Sequence, residues 1–238
     1  MPEWFEEWFG EEYLRLYPHR DDADAERVVS LLTHELPWRR GWRVLDVACG
    51  AGRHLVALER AGAVPIGFDL SAVLLRRARQ ATRRPLVRAD MRALPFRSGS
   101  MDLTVNLFTS FGYFATDEEH ADAIGQMLET VRPGGWFVID FLNAAQVRAA
   151  LVPTETTALG QIRAEIRREI SEDGRFVYKT ITLDDGRSFE ERVRLLGSAE
   201  LEAMITVHGG RVVGRFGDYR GGPLAGGTRT LLTAQVTG

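Results

Sequence analysis

From Trp42 to Asp140 the chain alternates apolar, strand-like segments with amphipathic, helix-like segments. Predicted strands lie at 42–48, 64–69, 86–89, 102–108 and 136–140, and predicted helices at 52–61, 71–81 and 117–131. A strand that returns to its sheet through a helix runs parallel to its predecessor, because the crossover brings the chain back to the same end of the sheet. The alternation therefore predicts an α/β fold with a doubly wound, mostly parallel sheet and helices on both faces.

The pattern changes after residue 143. Three strand-like segments follow, at 161–170, 175–183 and 188–196, joined by Asp173-Gly174 and Asp185-Gly186. Asp-Gly between strand-like segments favours a tight hairpin, so we expect a small antiparallel β lobe here. The isoleucines of the first segment also recur at helical spacing, and a helix stays open as the alternative for it.

The two ends of the chain complete the predicted organisation. Residues 3–17 carry aromatic side chains at helical spacing and are predicted to form one short amphipathic helix. Residues 22–36 form a second predicted helix, capped by Asp21 and Asp22 and ended by Pro37. A helix at 198–208 and strands at 211–219 and 228–237 close the chain, with the loop GGPLAGG between the strands as a flexible connection or lid. We therefore predict a helical cap at 1–37, an α/β core at 38–143 and 197–238, and an antiparallel β insertion at 144–196 that serves as a substrate lobe.

Composition limits the classes of function. A net charge of −3 over 238 residues is not that of a general polyanion binder. The arginines concentrated between Arg76 and Arg97 are expected to form a solvated face, with an RNA-facing patch as the open alternative. The single cysteine excludes an internal disulfide framework. Because the N-terminal residues are acidic and aromatic and no apolar run is long enough to span a membrane, we expect a cytoplasmic protein. No bound metal is expected.

The most informative motif is VLDVACGAGRH, residues 44–54, where an apolar strand runs into small residues and then into a predicted helix. A dinucleotide-binding turn requires G-x-G-x-x-G, and here the third position is Leu55. The spacing that fits is Asp-x-Ala-x-Gly-x-Gly, formed by Asp46, Ala48, Gly50 and Gly52. Small residues at such a turn let backbone amides approach a ligand closely.

Three further motifs follow in order along the predicted strands. Asp69 ends the second strand, Asp90-Met91 follow the third, and Arg132-Pro133-Gly134-Gly135 precede the fifth. With the first motif, they make residues 40–143 resemble the class I S-adenosylmethionine-dependent methyltransferases. That resemblance implies a Rossmann-like sheet of seven strands, S-adenosyl-L-methionine as cofactor and S-adenosyl-L-homocysteine as product.

The resemblance also implies roles for individual residues. Asp46, Ala48, Gly50 and Gly52 are expected to line the methionine end of the cofactor, with Cys49 as a small filler within the turn. Asp69 is expected to bind the ribose, Leu70 to pack near the adenine, Asp90 and Met91 to hold the adenine, and Asn106 to lie where the methyl group points. His54 is expected near the ligand carboxylate at the start of a helix, and a surface histidine is the open alternative.

The acceptor side is predicted from aromatic residues. The segment 106–114 is aromatic and apolar, which suits a small or partly apolar acceptor, although core packing of the same rings stays open. Tyr113 is the candidate for a polar or catalytic group in the pocket. The candidate substrate-binding residues are Trp4, Trp8, Tyr13, Tyr17, Phe108, Phe111 and Tyr113.

Together these features predict a methyltransferase that moves a methyl group to a small-molecule acceptor by in-line displacement. Nucleic acid is not the expected partner, and the acceptor atom and oligomeric state are left open. Three alternatives remain: an RNA or protein methyltransferase using the arginine-rich segment, a nicotinamide-dependent oxidoreductase, and a non-catalytic cofactor-binding module.

Overall fold

The structure is a computed structural model that describes residues 3–17, 22–159 and 162–237. Its strands are β1 Arg43–Val47, β2 Val64–Asp69, β3 Leu86–Arg88, β4 Met101–Asn106, β5 Val131–Leu142, β6 Thr154–Leu159, β7 Ile162–Ile170, β8 Phe176–Leu183, β9 Ser188–Arg194, β10 Gly210–Phe216 and β11 Arg229–Val236. Its helices are α1 Trp4–Trp8, α2 Glu11–Leu16, α3 Asp22–Glu35, α4 Arg53–Arg60, α5 Ala72–Ala81, α6 Asp117–Thr130, α7 Ala144–Ala150 and α8 Ser198–Val207.

A seven-stranded sheet forms the centre of the molecule, in the order β10-β11-β5-β4-β1-β2-β3. The five strands from β3 to β5 are parallel, while β11 pairs antiparallel with β5 and β10 with β11. One apolar cluster packs α6 and α8 against the sheet, and a second packs α3 and α4 against the opposite face. The predicted fold class is confirmed. Because the strand order reverses between β1 and β4, a crevice is expected at the carboxyl ends of these strands.

The antiparallel lobe is a separate four-stranded sheet in the order β6-β7-β8-β9. The segment 162–170 is a strand, so the helical alternative for it is wrong. The sequence did not predict β6, whose residues TETTAL alternate between exposed and half-buried positions and carry little apolar signal. Nor did it predict the short helix α7, which begins after Asn143 with the Asn143 side chain accepting hydrogen bonds from two backbone amides.

The prediction of one continuous helix over 3–17 is wrong. The structure has two short helices, and Gly10 between them adopts an extended backbone, with φ −120° and ψ −154°. The break turns α2 so that Tyr13 and Leu16 are buried with Leu74 of α5 and with apolar residues of the antiparallel lobe, such as Ile166. The two N-terminal helices, hereafter the cap helices, therefore bridge the large sheet's helical layer and the lobe. For the next helix, the predicted cap residue Asp21 lies outside the described residues, and α3 begins at Asp22.

Of the helices in the described ranges, none combines the length and the hydrophobicity that crossing a bilayer requires.

Candidate active site

A cavity of about 1910 Å³ opens at the carboxyl ends of the parallel strands. Its wall combines the turn after β1, the end of β2, the segment after β3, the segment after β4 and the cap helices. Pockets for single small ligands occupy roughly 300–1,000 Å³. The cavity is therefore large enough for a cofactor and an acceptor side by side.

The turn after β1 has a backbone that demands small residues. Ala48, Gly50 and Gly52 all have positive φ, at 59°, 55° and 88°. A Cβ atom at Gly50 would meet nothing within 4 Å, so glycine serves the backbone conformation there and leaves open space beside the turn. At Gly52 a Cβ would also lie 3.1 Å from the Cβ of Ala78 in α5. This is a cradle for a ligand that approaches the backbone closely.

In a dinucleotide-binding turn the third glycine lets the helix pack closely on its strand, and here that position is Leu55. The glycine that permits the close packing lies in β2 instead. Leu55 is fully buried, and it packs against Gly67, where a Cβ atom would come within 2.6 Å of the Leu55 side chain and 2.9 Å of Cys49 Sγ. The close approach of helix α4 to the sheet is therefore made possible by a glycine on the strand. Sequence reasoning missed Gly67, because only the pairing of β1 with β2 brings it against the turn.

Asp46 lies next to the last residue of β1, in an unusual environment. It is 1% exposed, and neither carboxylate oxygen has a hydrogen-bond partner among the described residues. Burial, together with the negative charge of Asp69, raises the pKa of Asp46 to about 8, while Arg53 acts in the opposite direction. Buried acceptors in folded proteins are almost always paired. Its two oxygens keep unused capacity to accept hydrogen bonds, but Asp46 lies behind the turn, and neither it nor Gly52 is part of the cavity wall.

Asp69 connects the end of β2 to the turn after β1. Its Oδ2 accepts from the backbone N–H of Gly50 at 2.8 Å, and its Oδ1 accepts from the N–H of Ser71 at 2.8 Å. Burial raises its pKa to about 6, and these backbone hydrogen bonds limit the rise. Each oxygen has a second lone pair, so the carboxylate can still accept from the hydroxyls of a ligand. The predicted ribose-binding and methionine-binding elements thus form one hydrogen-bonded unit.

Asp90 and Met91 lie on the cavity wall, as does Leu70. Asp90 is engaged by Arg92, whose Nη2 donates to Asp90 Oδ2 at 2.6 Å, and whose backbone N–H donates to Oδ1 at 2.9 Å. Burial opposes ionisation of Asp90, but these Arg92 contacts outweigh it and hold the pKa below its ordinary value. Arg92 also lies 5.2 Å from the ring centroid of Phe114. The sequence did not single out Arg92, although a cation two residues after Asp90 was a usable signal.

Three more predicted cofactor residues lie at different depths, two on the cavity wall and one behind it. His54 is 5% exposed in the first turn of α4 and contributes to the cavity wall, as does Cys49. Asn106 is fully buried behind the wall, where its Nδ2 donates to the backbone oxygens of Val47 and Ser110 at 3.1 and 3.2 Å. Its side chain joins the end of β1 to the segment after β4.

Some of the predicted acceptor-side aromatics reach the cavity and others do not. The wall includes Phe108, Tyr113, Tyr13 and Tyr17, whereas Trp4, Trp8 and Phe111 lie outside it. Phe111 is 1% exposed and packs edge-on against Phe141 in the core. The structure adds Phe5, Phe9, Arg53 and Phe114 to the wall. Which face of the cap helices meets the cavity depends on the break at Gly10, which helical periodicity did not indicate.

The hydroxyl of Tyr113 donates to the backbone oxygen of Thr109 at 2.7 Å. Its ring packs against Trp4, Phe5 and Phe9, with centroids 5.3, 6.1 and 5.6 Å away. The tyrosine therefore joins the segment after β4 to the cap helices. These contacts give it a shaping role at the wall.

Comparisons with known proteins agree with this geometry. Residues 44–135 match a family model described as a methyltransferase domain. A dTDP-3-amino-3,4,6-trideoxy-alpha-D-glucopyranose N,N-dimethyltransferase of Streptomyces venezuelae is 31% identical over 206 residues, which cover 80% of this chain and 83% of that protein.

Solved structures give the same result. DesVI of Streptomyces venezuelae superposes with a TM-score of 0.67 at 25% identity, over 95% of this chain and 96% of its own. The CcbJ methyltransferase of Streptomyces caelestis has a TM-score of 0.81 at 20% identity, over 97% and 98% of the two chains, and shares the fold. The chain belongs to the class I S-adenosylmethionine-dependent methyltransferases.

Proposed function

We propose that this protein transfers a methyl group from S-adenosylmethionine to the amino group of a small, sugar-type acceptor, such as a nucleotide-linked amino sugar. The observation that carries the proposal is the similarity to the Streptomyces venezuelae amino-sugar dimethyltransferase, which extends over 80% of the chain and so well beyond residues 44–135. The parts outside the cofactor-binding motifs, where an acceptor has to be recognised, take part in that similarity.

The assignment of the cofactor residues is part of the proposal. The turn at Ala48, Gly50 and Gly52 receives the methionine end, and Asp69 receives the ribose hydroxyls at the second lone pairs of its oxygens. Leu70 and Met91 flank the adenine. Asp90 supports that end of the site through its pairing with Arg92. In support, Ala48, Gly50, Asp69, Leu70, Asp90 and Met91 all line the same cavity.

We assign the acceptor to the part of the cavity between the segment after β4 and the cap helices. Phe108, Tyr113, Phe5 and Phe9 provide an apolar, aromatic surface there. The cap helices are tied to both neighbouring parts of the molecule. Ser71 Oγ donates to the backbone oxygen of Phe9 at 2.5 Å, next to the proposed ribose site.

On the side of the antiparallel lobe, Trp8 Nε1 donates to Glu191 Oε1 at 3.0 Å. Lys179 Nζ donates to the Tyr17 hydroxyl at 2.6 Å and lies 3.3 Å from Glu191 Oε2. These contacts support a role for the cap helices as the cover of the acceptor site and for the lobe as their platform.

The chemistry needs alignment more than acid–base groups. When bound, S-adenosylmethionine supplies an electrophilic methyl group on a sulfonium. The aromatic wall and the cap helices hold the acceptor in line and exclude water, which is the main contribution a protein makes to such a displacement. A neutral amine attacks through its own lone pair and loses its extra proton to solvent after transfer. An amine acceptor is therefore compatible with a wall built from aromatic rings.

The test is a methylation assay with a matched pair of probes: dTDP-3-amino-3,4,6-trideoxyglucose and the same sugar nucleotide carrying a hydroxyl at carbon 3. We expect methylation of the amine and none of the hydroxyl compound, measured by mass spectrometry. Total tRNA is the third probe, because it tests the nucleic-acid alternative directly. Equal use of the hydroxyl compound, or methylation of tRNA alone, would contradict the proposal.

A further inference from the structure

The segment after β4 reaches the cavity through two residues in a left-handed backbone conformation. Phe108 and Thr109 have φ values of 61° and 60°. Residues other than glycine rarely adopt this backbone conformation, and it persists where the surroundings hold it in place. Phe108 lies on the cavity wall, and the backbone oxygen of Thr109 accepts the hydroxyl of Tyr113. Whatever holds these two residues therefore sets the shape of the proposed acceptor wall.

Asp140, near the end of β5, holds both of them. One carboxylate oxygen, Oδ2, accepts from the backbone N–H of Phe108 at 2.9 Å. The backbone oxygen of Asp140 accepts from the N–H of Thr109 at 2.9 Å. Asp140 is fully buried and does not line the cavity. It therefore acts on the wall only through its neighbours.

The same carboxylate is held from the other side by the C-terminal part of the chain. Arg229, at the start of β11, donates from Nε to Asp140 Oδ1 at 2.8 Å. Tyr219 lies in the glycine-rich loop between β10 and β11, which in the structure spans 217–228, and its hydroxyl donates to Oδ2 at 2.7 Å. Burial and the charge of Asp140 raise the pKa of Tyr219, so the hydroxyl keeps its proton and remains a donor. The loop is itself anchored, because Asn143 Nδ2 donates to the backbone oxygen of Gly227 at 2.9 Å.

Two cations lie near the ring of Phe108. The guanidinium of Arg229 lies 5.3 Å from its centroid, and that of Arg53 lies 4.2 Å from it. Arg53 is the first residue of α4, directly after the proposed cofactor turn. Cation–π contacts of this kind fix the orientation of a ring as well as its position. The ring thereby contacts Arg53, next to the proposed cofactor turn, and Arg229, which pairs with Asp140.

We infer that Asp140, Arg229 and Tyr219 form a positioning unit for methyl transfer, which orients Phe108 and the proposed acceptor wall without touching either ligand. The glycine-rich loop is part of this unit, because it supplies Tyr219. The inference rests on the proposed function in one respect: it takes the segment after β4 as the acceptor side of the cavity. It requires that loss of the unit impairs use of the acceptor much more than binding of the cofactor.

The main variant is Asp140→Asn, which preserves size and removes the charge that pairs with Arg229. A displacement of about 1 Å in a reacting group can cost roughly 100-fold in rate, so we expect kcat/KM for dTDP-3-amino-3,4,6-trideoxyglucose to fall by about that factor. Affinity for S-adenosylhomocysteine, measured by titration calorimetry, should change little. Tyr219→Phe keeps the ion pair and removes one hydrogen bond to a carboxylate, so about a 10-fold fall in kcat/KM is expected.

Asp102→Asn is the matched control. Asp102 has the same kinds of partner, a backbone N–H from Arg43 at 2.8 Å and Nε of Arg132 at 2.7 Å. It lies at the start of β4, whereas Phe108 and Thr109 follow the end of that strand. It should leave acceptor kinetics unchanged. The inference is overturned if Asp140→Asn folds and keeps its acceptor kinetics, if cofactor affinity falls as far as acceptor turnover, or if Asp102→Asn shows the same loss. Should Asp140→Asn fail to fold, Tyr219→Phe decides by the same criteria.

Hydrogen exchange separates this inference from the proposed acceptor. With S-adenosylhomocysteine bound, exchange of the amides in 106–114 should be faster in Asp140→Asn and Tyr219→Phe than in the parent, and exchange in 46–54 should be unchanged. If the parent does not methylate the amino sugar, the proposed acceptor class fails, and this exchange pattern decides the inference alone. Unchanged exchange in 106–114 would then overturn it.

Discussion

Under the proposed function, the cavity has a cofactor half and an acceptor half, and the two are built in different ways. The cofactor half comes from one continuous stretch, 46–54, joined to Asp69 at the end of the neighbouring strand by a backbone hydrogen bond. The acceptor half is assembled from the cap helices, the segment after β4 and, behind it, Asp140 with Arg229, which is 89 positions away in the chain. The cofactor half is a local motif repeated across a family, whereas the acceptor half exists only when distant segments meet.

The two halves also differ in the state of the buried carboxylate that lies behind each of them. Both carboxylate oxygens of Asp46 lack a partner among the described residues, and burial raises the pKa values of Asp46 and Asp69. On the acceptor side, by contrast, the buried carboxylate of Asp140 accepts from a backbone amide, a guanidinium and a phenol. Asp46 thus keeps unused acceptor capacity behind the proposed cofactor turn, whereas Asp140 is already braced.

The largest effect that would test this contrast is removal of residues 1–18. We expect detectable methyl transfer to be abolished while cofactor affinity stays nearly unchanged, because the cap helices cover the acceptor side and leave the turn after β1 intact. Titration with S-adenosylhomocysteine and an acceptor assay measure the two effects separately. The deletion uncovers apolar residues such as Leu74, so Phe9→Ala, which removes one ring from the wall, serves as the milder variant. A folded truncated protein with normal turnover would remove the distinction between the halves.

The next effect concerns the cofactor half alone. Asp69→Ala should weaken cofactor binding by about 30- to 1000-fold, since a charge-assisted pair of ribose contacts contributes roughly 2–4 kcal/mol. The variant also loses the acceptors for the N–H groups of Gly50 and Ser71. Asp69→Asn is the matched control, because it keeps one acceptor oxygen and should have an intermediate affinity. Parent-like affinity in folded Asp69→Ala, judged by calorimetry and circular dichroism, would show that the ribose lies elsewhere.

Taken per pH unit, the smallest effect is a pH dependence of stability that originates in Asp46. Its folded pKa of about 8 lies above the value of 3.8 expected for the unfolded chain. Its contribution to stability is therefore fully present below the unfolded pKa and is lost as pH rises through the folded pKa. The loss amounts to at most about 1.4 kcal/mol per pH unit.

In the ligand-free protein, Asp46→Asn should therefore show a less negative slope of unfolding free energy against pH than the parent between pH 5 and 8. Asp102→Asn should retain the parent slope in that window, because hydrogen bonding to Arg132, opposed by burial, holds the pKa of Asp102 below its ordinary value. Chemical denaturation at a series of pH values measures both slopes. Identical slopes for Asp46→Asn and the parent would mean that Asp46 is ionised in the folded protein.

The sequence predicted the local structure of the proposed cofactor half well because its signals are local. The end of β2 at Asp69, the turn with two glycines and the helix over 72–81 all follow from spacing and residue type over fewer than ten positions. Where several segments had to meet, prediction was weaker. Asn106 was expected beside the methyl group and lies behind the wall, and the structure keeps Phe111 in the core. Gly67 and Arg92 were missed because their importance depends on partners in other elements.

By itself, the sequence determined the alternating α/β architecture and the position of the glycine turn after β1, because strand and helix periodicity and glycine spacing act within one segment at a time. Only the tertiary structure decided which aromatic residues face the cavity, where the cap helices break and what holds Phe108 in its left-handed conformation. The contacts responsible join residues as far apart as Trp8 and Glu191, 183 positions along the chain. No local pattern encodes such a pairing, since it depends on how the sheet, the lobe and the helices pack together.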